Sequence, residues 1–291
     1  MKTIRVLSLL AAGSAFYLLI AGAQVNAHQA ALSVPDWPLS YGRLLAPAWP
    51  GNVFYEQHHR AVAGTTLVFF VALLIGLGRR ADLAGARRMS RYAGGTLGFQ
   101  VVLGGLIVLR LNPPWLGAIH AVVAVATVVF IAATALLIWD RAAPLTPSPG
   151  LDKILRRSRI ALGLVALQVI LGSVTRHPPV GQLTFSTTLF AHLLNGVITT
   201  IFLVLLGLSL TRVPKITKLR GWGWLLLAAA AAQLAVGFWV FVVAPKPLQE
   251  TWPPPPGFPA AHAIHLLLAA IIASCLTAPL LRSGRTELSP T

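Results

Sequence analysis

The sequence is poor in charge. Only 10% of its 291 residues are Asp, Glu, Lys or Arg, and just seven are acidic. A soluble domain carries about 25% charged residues, so this shortage, beside a 56% hydrophobic composition, excludes a water-facing globule. Cysteine is almost absent. The single one, Cys275, excludes an internal disulfide and reads as a small apolar side chain inside an apolar run. Long polar stretches are missing as well, which leaves no room for a sizeable soluble domain. Alternation of apolar and polar residues is also missing, and continuous apolar runs point to membrane helices.

Eight such runs are present, at about 5–25, 61–78, 94–111, 117–139, 159–175, 188–211, 221–243 and 260–281. A helix needs roughly 20 apolar residues to cross the hydrocarbon core, so the expected fold is an all-α membrane protein with eight transmembrane helices. The net charge of +16 could suggest a nucleic-acid partner, but its distribution argues otherwise. If the N-terminus is inside, 18 of the 23 basic residues fall in inner segments, and only Arg43, Arg60, Arg110, Arg176 and Lys246 fall outside. This asymmetry predicts that both termini are cytoplasmic. The first run has a basic start and small residues near Ala27, so a cleaved signal peptide competes with a retained helix. Retention is expected, because it completes a repeat.

That repeat shows in the polar positions. "FQVVLGGLIV" (99–108) and "AQLAVGFWVF" (232–241) share a Gln followed four residues later by a Gly, Gln100/Gly104 and Gln233/Gly237. "AGAQVNAH" (21–28) and "ILGSVTRH" (170–177) close the first and fifth runs, and "AIHAVVA" (118–124) and "AIHLLLA" (263–269) open the fourth and eighth. The expected organisation is two repeated four-helix bundles, residues 1–145 and 146–291, joined through the linker-like "LTPSPG" (145–150).

All eight histidines fall at the outer ends of runs or in outer segments. Ionisable residues near membrane depth are costly and usually face a bundle interior or a cavity. His59, His120, His192 and either His262 or His265 open the second, fourth, sixth and eighth runs. Each half thus supplies two histidines from different helices at similar depth, as two axial ligands of a haem iron require. Zinc suits the pattern less well, since it calls for four converging ligands. Aligning the two "AIH" triplets pairs His265 with His120, which favours His265 over its neighbour His262. His28 and His177 lie just past their helix ends and suit a cavity rim. Trp37, Trp115 and Trp252 are expected in an interfacial aromatic belt.

On these residues the sequence resembles the haem A synthase family of respiratory chains. The matching pieces are "LSVPDWPLSYG" (32–42), the Glu-x-x-His-Arg of "YEQHHR" (55–60), "QVVLGGLIV" (100–108), "AIHA" (118–121), "LGSVTRH" (171–177) and "FAHLLNG" (190–196). The resemblance implies two four-helix bundles around two haem sites near the outer face of a membrane, here a bacterial inner membrane. It implies oxidation of a haem O methyl to a formyl group, with water as the oxygen source, giving haem A for cytochrome oxidase. It further implies that His59 and His120 flank the substrate haem, that His192 and His265 ligate haem b as cofactor, and that Glu56 is the catalytic glutamate. A haem O synthase and an electron acceptor are the implied partners, with the bilayer as solvent and no nucleic acid. In the first outer loop "QVNAHQAALS" (24–33) replaces the pattern of many members, and Asn26 stands near a position where they carry arginine.

The residues themselves leave a choice at Glu56. It shares a helix side with His59, where a carboxylate could take a proton or stabilise positive charge. It could instead act as a first-turn acid or pair with Arg60 at i, i+4. Arg60, Arg110 and Arg176 are candidates for haem propionates, with span-end snorkelling as the plainer role. A di-haem electron carrier without substrate chemistry needs the same four histidines. A transporter is the third reading, disfavoured because the polar residues gather at one membrane face and not at the midplane.

Overall fold

The computed structural model describes residues 1–140, 149–177, 182–213, 219–244 and 254–283. Within these the chain is all-α. Its long helices are α1 (Lys2–Ala27), α2 (Asn52–Gly78), α3 (Ala84–Leu109), α4 (Pro114–Trp139), α5 (Pro149–Arg176), α6 (Gln182–Thr211), α7 (Leu219–Val243) and α8 (Phe258–Ser283). All eight are long and apolar enough to span a membrane, so the protein is a multi-pass membrane protein.

Several helices outrun the apolar runs that announced them. α2 starts nine residues before its run and α5 starts ten before, taking in the basic "LDKILRRSR". Hydropathy senses only the hydrocarbon-facing part of a helix, whereas the backbone ladder continues wherever each further residue adds a hydrogen bond. One consequence touches the site: Glu56 lies in the second turn of α2, and no acidic residue stands in its first turn. The first-turn-acid reading of Glu56 is thereby corrected.

Within the first four helices α1 packs on α2, α3 on α4 and α1 on α4, while α2 and α3 meet only lightly. Helices α5 to α8 close in the same cyclic order, with α5 on α6, α6 on α7, α7 on α8 and α5 on α8. The two groups meet along a seam of α1 and α4 against α5 and α8. The boundary expected near residue 145, and most of the linker, lie outside the described residues. Small side chains let the seam helices approach, with Ala11, Ala15 and Ala270 all fully or nearly fully buried. Helix α1 is therefore a working part of the core.

Polar ties fix one end of the assembly. The Trp139 indole N–H donates to Ser8 Oγ at 3.1 Å, and Arg282 pairs with Asp140 at 3.2 Å. This end carries most of the arginines and is called the basic end below. Every histidine sits toward the opposite end.

Candidate functional site

Four histidines at the histidine end share one local design. On each of α2, α4, α6 and α8 the imidazole packs against a glycine of the preceding helix. A Cβ built on Gly22 would lie 3.1 Å from His59 Cε1, on Gly172 2.9 Å from His192 Cε1, and on Gly237 3.1 Å from His265 Cε1, while one on Gly104 would lie at 3.8 Å from His120 Cε1. At Gly22, Gly172 and Gly237 a Cβ would crowd the ring, so these three glycines set how deep their histidines sit, whereas the contact at Gly104 is an ordinary one.

Three of these glycines follow a glutamine by four residues. Gln100 donates its carboxamide N–H to the His120 carbonyl at 2.8 Å. Gln168 donates to the His192 carbonyl at 3.0 Å and lies 3.3 Å from His192 Nε2. Its own oxygen accepts from Asn195 Nδ2 at 2.7 Å. Gln233 lies 3.4 Å from His265 Nε2. Each glutamine thus fixes the rotation of a histidine-bearing helix against its neighbour. The repeats reveal the glutamines on α3 and α7. The one on α5 was missed, because the residue four before Gly22 on α1 is Leu18.

His192 and His265 face one another, with ring centres 6.3 Å apart and planes at 67°. Two imidazoles on one metal would place their centres about 6 Å apart, given a metal–nitrogen bond of roughly 2 Å and a further ~1.1 Å to each ring centre. The pair therefore fits a group held between two axial ligands. The Nδ1 atoms of His59, His120, His192 and His265 are all buried without a protein partner. Buried polar atoms are normally paired; the Nδ1 of His262 is unpaired too, so these four are set apart by their repeat-related places and glycine backing and not by the missing partner alone.

The other histidines are placed differently. His262 stacks on Phe258 with centres 5.8 Å apart, one turn from His265, and His265 is the one opposite His192. His177 also lies on a glycine, Gly117, and its Nε2 meets Asn26 Nδ2 at 2.8 Å, a shorter contact than those of His192 and His265 with their glutamines. Burial holds the His177 imidazole down at about 4. Arg176 donates to the Asn26 carbonyl at 2.8 Å and lies over the Phe258 ring at 5.9 Å. Asn26 thus ties α1 to α5 across the seam. His28 stacks on Tyr55 at 3.7 Å, and His58 meets the Tyr17 hydroxyl at 3.2 Å and stacks on Phe54. His28, Asn52, Phe54 and Tyr55 line a cleft of about 650 Å³ opposite Pro254–Pro256. That proline stretch borders the histidine end, while Trp252 lies outside the described residues.

Glu56 is buried and both of its oxygens are engaged. Oε1 pairs with Arg60 at 2.7 Å, and Oε2 accepts the Val34 backbone N–H at 2.8 Å. Arg60 also donates to the carbonyls of Asp36 (2.9 Å), Leu39 (3.0 Å) and Val34 (3.2 Å). Its guanidinium thereby anchors the loop of residues 32–42. The loop is closed on itself by Asp36, which accepts the backbone N–H groups of Tyr41 and Gly42 at 2.7 Å each. The Gly42 amide, with Tyr41, holds the Asp36 carboxyl below its ordinary value. Trp37, expected in a belt, is 37% exposed, and its ring also covers Gly105, where an added Cβ would sit 2.9 Å away. Trp115 is 60% exposed at the start of α4, as a belt residue would be. Arg110 is exposed at the end of α3.

Comparison with known proteins supplies one match. Residues 2–132 match the family model COX15-CtaA, described as cytochrome oxidase assembly protein. That stretch contains α1 to α3 and most of α4, with the "YEQHHR" and D-W-P segments. No curated protein matches the chain.

Proposed function

We propose that the chain, whose residues 2–132 match the cytochrome oxidase assembly family model COX15-CtaA, is a haem A synthase of the bacterial inner membrane. Its substrate haem O would be held between His59 and His120, and a haem b cofactor between His192 and His265, both toward the outer face. The single observation that carries this reading is the four-fold recurrence of a glycine-backed histidine with an unpaired Nδ1, facing in the second half at 6.3 Å. Haem b, when bound, supplies a one-electron redox centre.

Glu56 lies one turn before His59 on α2 and so on the same side of the helix. The reaction first converts a ring methyl and water to a hydroxymethyl group, releasing two protons and two electrons. Oxidation of that alcohol to the formyl group releases two more of each. A carboxylate near the reacting carbon takes a proton from water or faces positive charge developing on the carbon. Arg60 orients the Glu56 carboxylate through Oε1. The loop of residues 32–42, hydrogen-bonded to the same two side chains, excludes bulk water from that side. The electrons leave to an acceptor outside this chain.

One observation favours a second reading. Both Glu56 oxygens already hold structural partners, as in a di-haem electron carrier where Glu56 only latches a loop. Co-expression with a haem O source, followed by extraction and chromatography of the haems, separates the two. Haem A with wild type but not with Glu56→Gln is expected. Haem B alone, with an intact bis-histidine spectrum, refutes the synthase.

A further inference from the structure

The two halves differ in how their second and third helices meet. In the second half α6 and α7 come together closely, helped by two glycines: a Cβ on Gly223 would lie 2.9 Å from the Gly207 carbonyl oxygen. In the first half α2 and α3 are the most loosely joined neighbours. Their contact centres on Phe70 and Leu74 of α2, which lean on Gly94.

Gly94, Gly98, Val101 and Gly105 follow one another at helical spacings of four, three and four, so they form one stripe of α3. The stripe is filled at both ends, by Phe70 at Gly94 and by Trp37 at Gly105. Between them it is open. A Cβ added at Gly98 would meet nothing within 4 Å, and Val101 is 42% exposed. Across from it on α2, Ala63 lies two turns from Phe70 on the same helix face and is small. The stripe spans 11 residues, or about 16 Å of helix, enough for a planar macrocycle entering edge-on.

We infer that this slot between α2 and α3 is the lateral entrance through which haem O passes from the bilayer to His59 and His120. This rests on the reading of the first half as the substrate site. Haem O is a porphyrin with a long isoprenoid chain and partitions into lipid. A side entrance keeps that chain out of water and leaves it in hydrocarbon while the ring turns inward. Among the described residues α6 and α7 approach closely at Gly207 and Gly223, toward the basic end, so the looser helix pair is the one in the half assigned to the substrate.

A cross-link tests the slot. Ala63 and Val101 lie two turns beyond the Phe70–Gly94 contact, each on the same face as its contact residue. In a Cys275→Ser background, Ala63→Cys with Val101→Cys is joined by a short bis-maleimide. The purified protein is mixed with vesicles containing haem O, and the growth of the bis-histidine absorption is followed. Expected is at least a tenfold slower uptake after cross-linking, normal uptake without the reagent, and an unchanged haem b spectrum in both. Uptake at the wild-type rate in the cross-linked protein overturns the proposal. Uptake that is blocked by the cross-link, in a protein that never converts haem O to haem A, supports the slot and refutes the synthase instead.

Discussion

Replacing Gly172 by alanine puts a methyl group 2.9 Å from His192 Cε1, where ordinary van der Waals contact begins at 3.4 Å. The ring must retreat by about half an ångström or the two helices must part. Overpacking of this kind costs about 1–3 kcal/mol. Alanine returns about 0.8–1.0 kcal/mol as a better helix former, so the fold itself loses little. The cost falls on haem binding. With no iron to hold it the imidazole rotates away from the methyl group, whereas a ligating ring cannot. At 1.4 kcal/mol per tenfold, the affinity of the second site for haem b falls roughly 5- to 150-fold. Gly237→Ala, with a 3.1 Å contact, should lose less, and Gly104→Ala, at 3.8 Å, should keep haem at its own site. The assay is the haem-to-protein ratio after purification, with circular dichroism melting to show that the helices persist. Equal haem retention in Gly172→Ala and Gly104→Ala would refute the reasoning.

Three further outcomes are expected. His265→Ala should abolish the low-spin haem b signal and His262→Ala should leave it, because only His265 faces His192; the absorption spectrum of the reduced protein decides. Gln168→Leu should lower the melting temperature more than Gln100→Leu. It removes the donor to the His192 carbonyl and the acceptor of one Asn195 Nδ2 hydrogen, about 1–3 kcal/mol for a buried group left unpaired, with Asn195 keeping its bond to the Leu164 carbonyl, whereas the Gln100 oxygen already has no partner. Acid should loosen the 32–42 loop. The Asp36 carboxyl is held below 3.8 in the folded chain, so its support is complete above that value and is lost as the pH falls through the lowered folded value. Limited pepsin cleavage within the loop should therefore rise only below about pH 4, and Asp36→Asn should remove that pH dependence.

Much of the fold was legible because the bilayer leaves few solutions. Continuous apolar runs can only be helices there, so all eight were visible, while their ends, which reach past the hydrocarbon, were not. The four histidines could be picked out by position, since one polar side chain per helix at repeated depth stands out against an apolar background. The choice of His265 came from a triplet alignment, and the geometry places that residue opposite His192. The glutamine on α5 was hidden because repeat mates were compared with each other, and the residue four before Gly22 on α1 is Leu18. Glu56 was the least legible. Its pairing with Arg60 is local and could be anticipated, but the Val34 amide lies 22 residues away and is brought to it only by the fold of the loop.

Arg60 holds that loop through three carbonyl oxygens, and it belongs to α2, as does His59, one residue before it. Loop and imidazole are thus mounted on one piece of backbone. If α2 tilts away from α3, the loop is carried with it, Trp37 lifts from Gly105, and His59 withdraws from the line between it and His120. Uncovering Gly105 and drawing back His59 become a single displacement. A finished product would then need no separate signal to leave, only the helix motion that admitted its precursor.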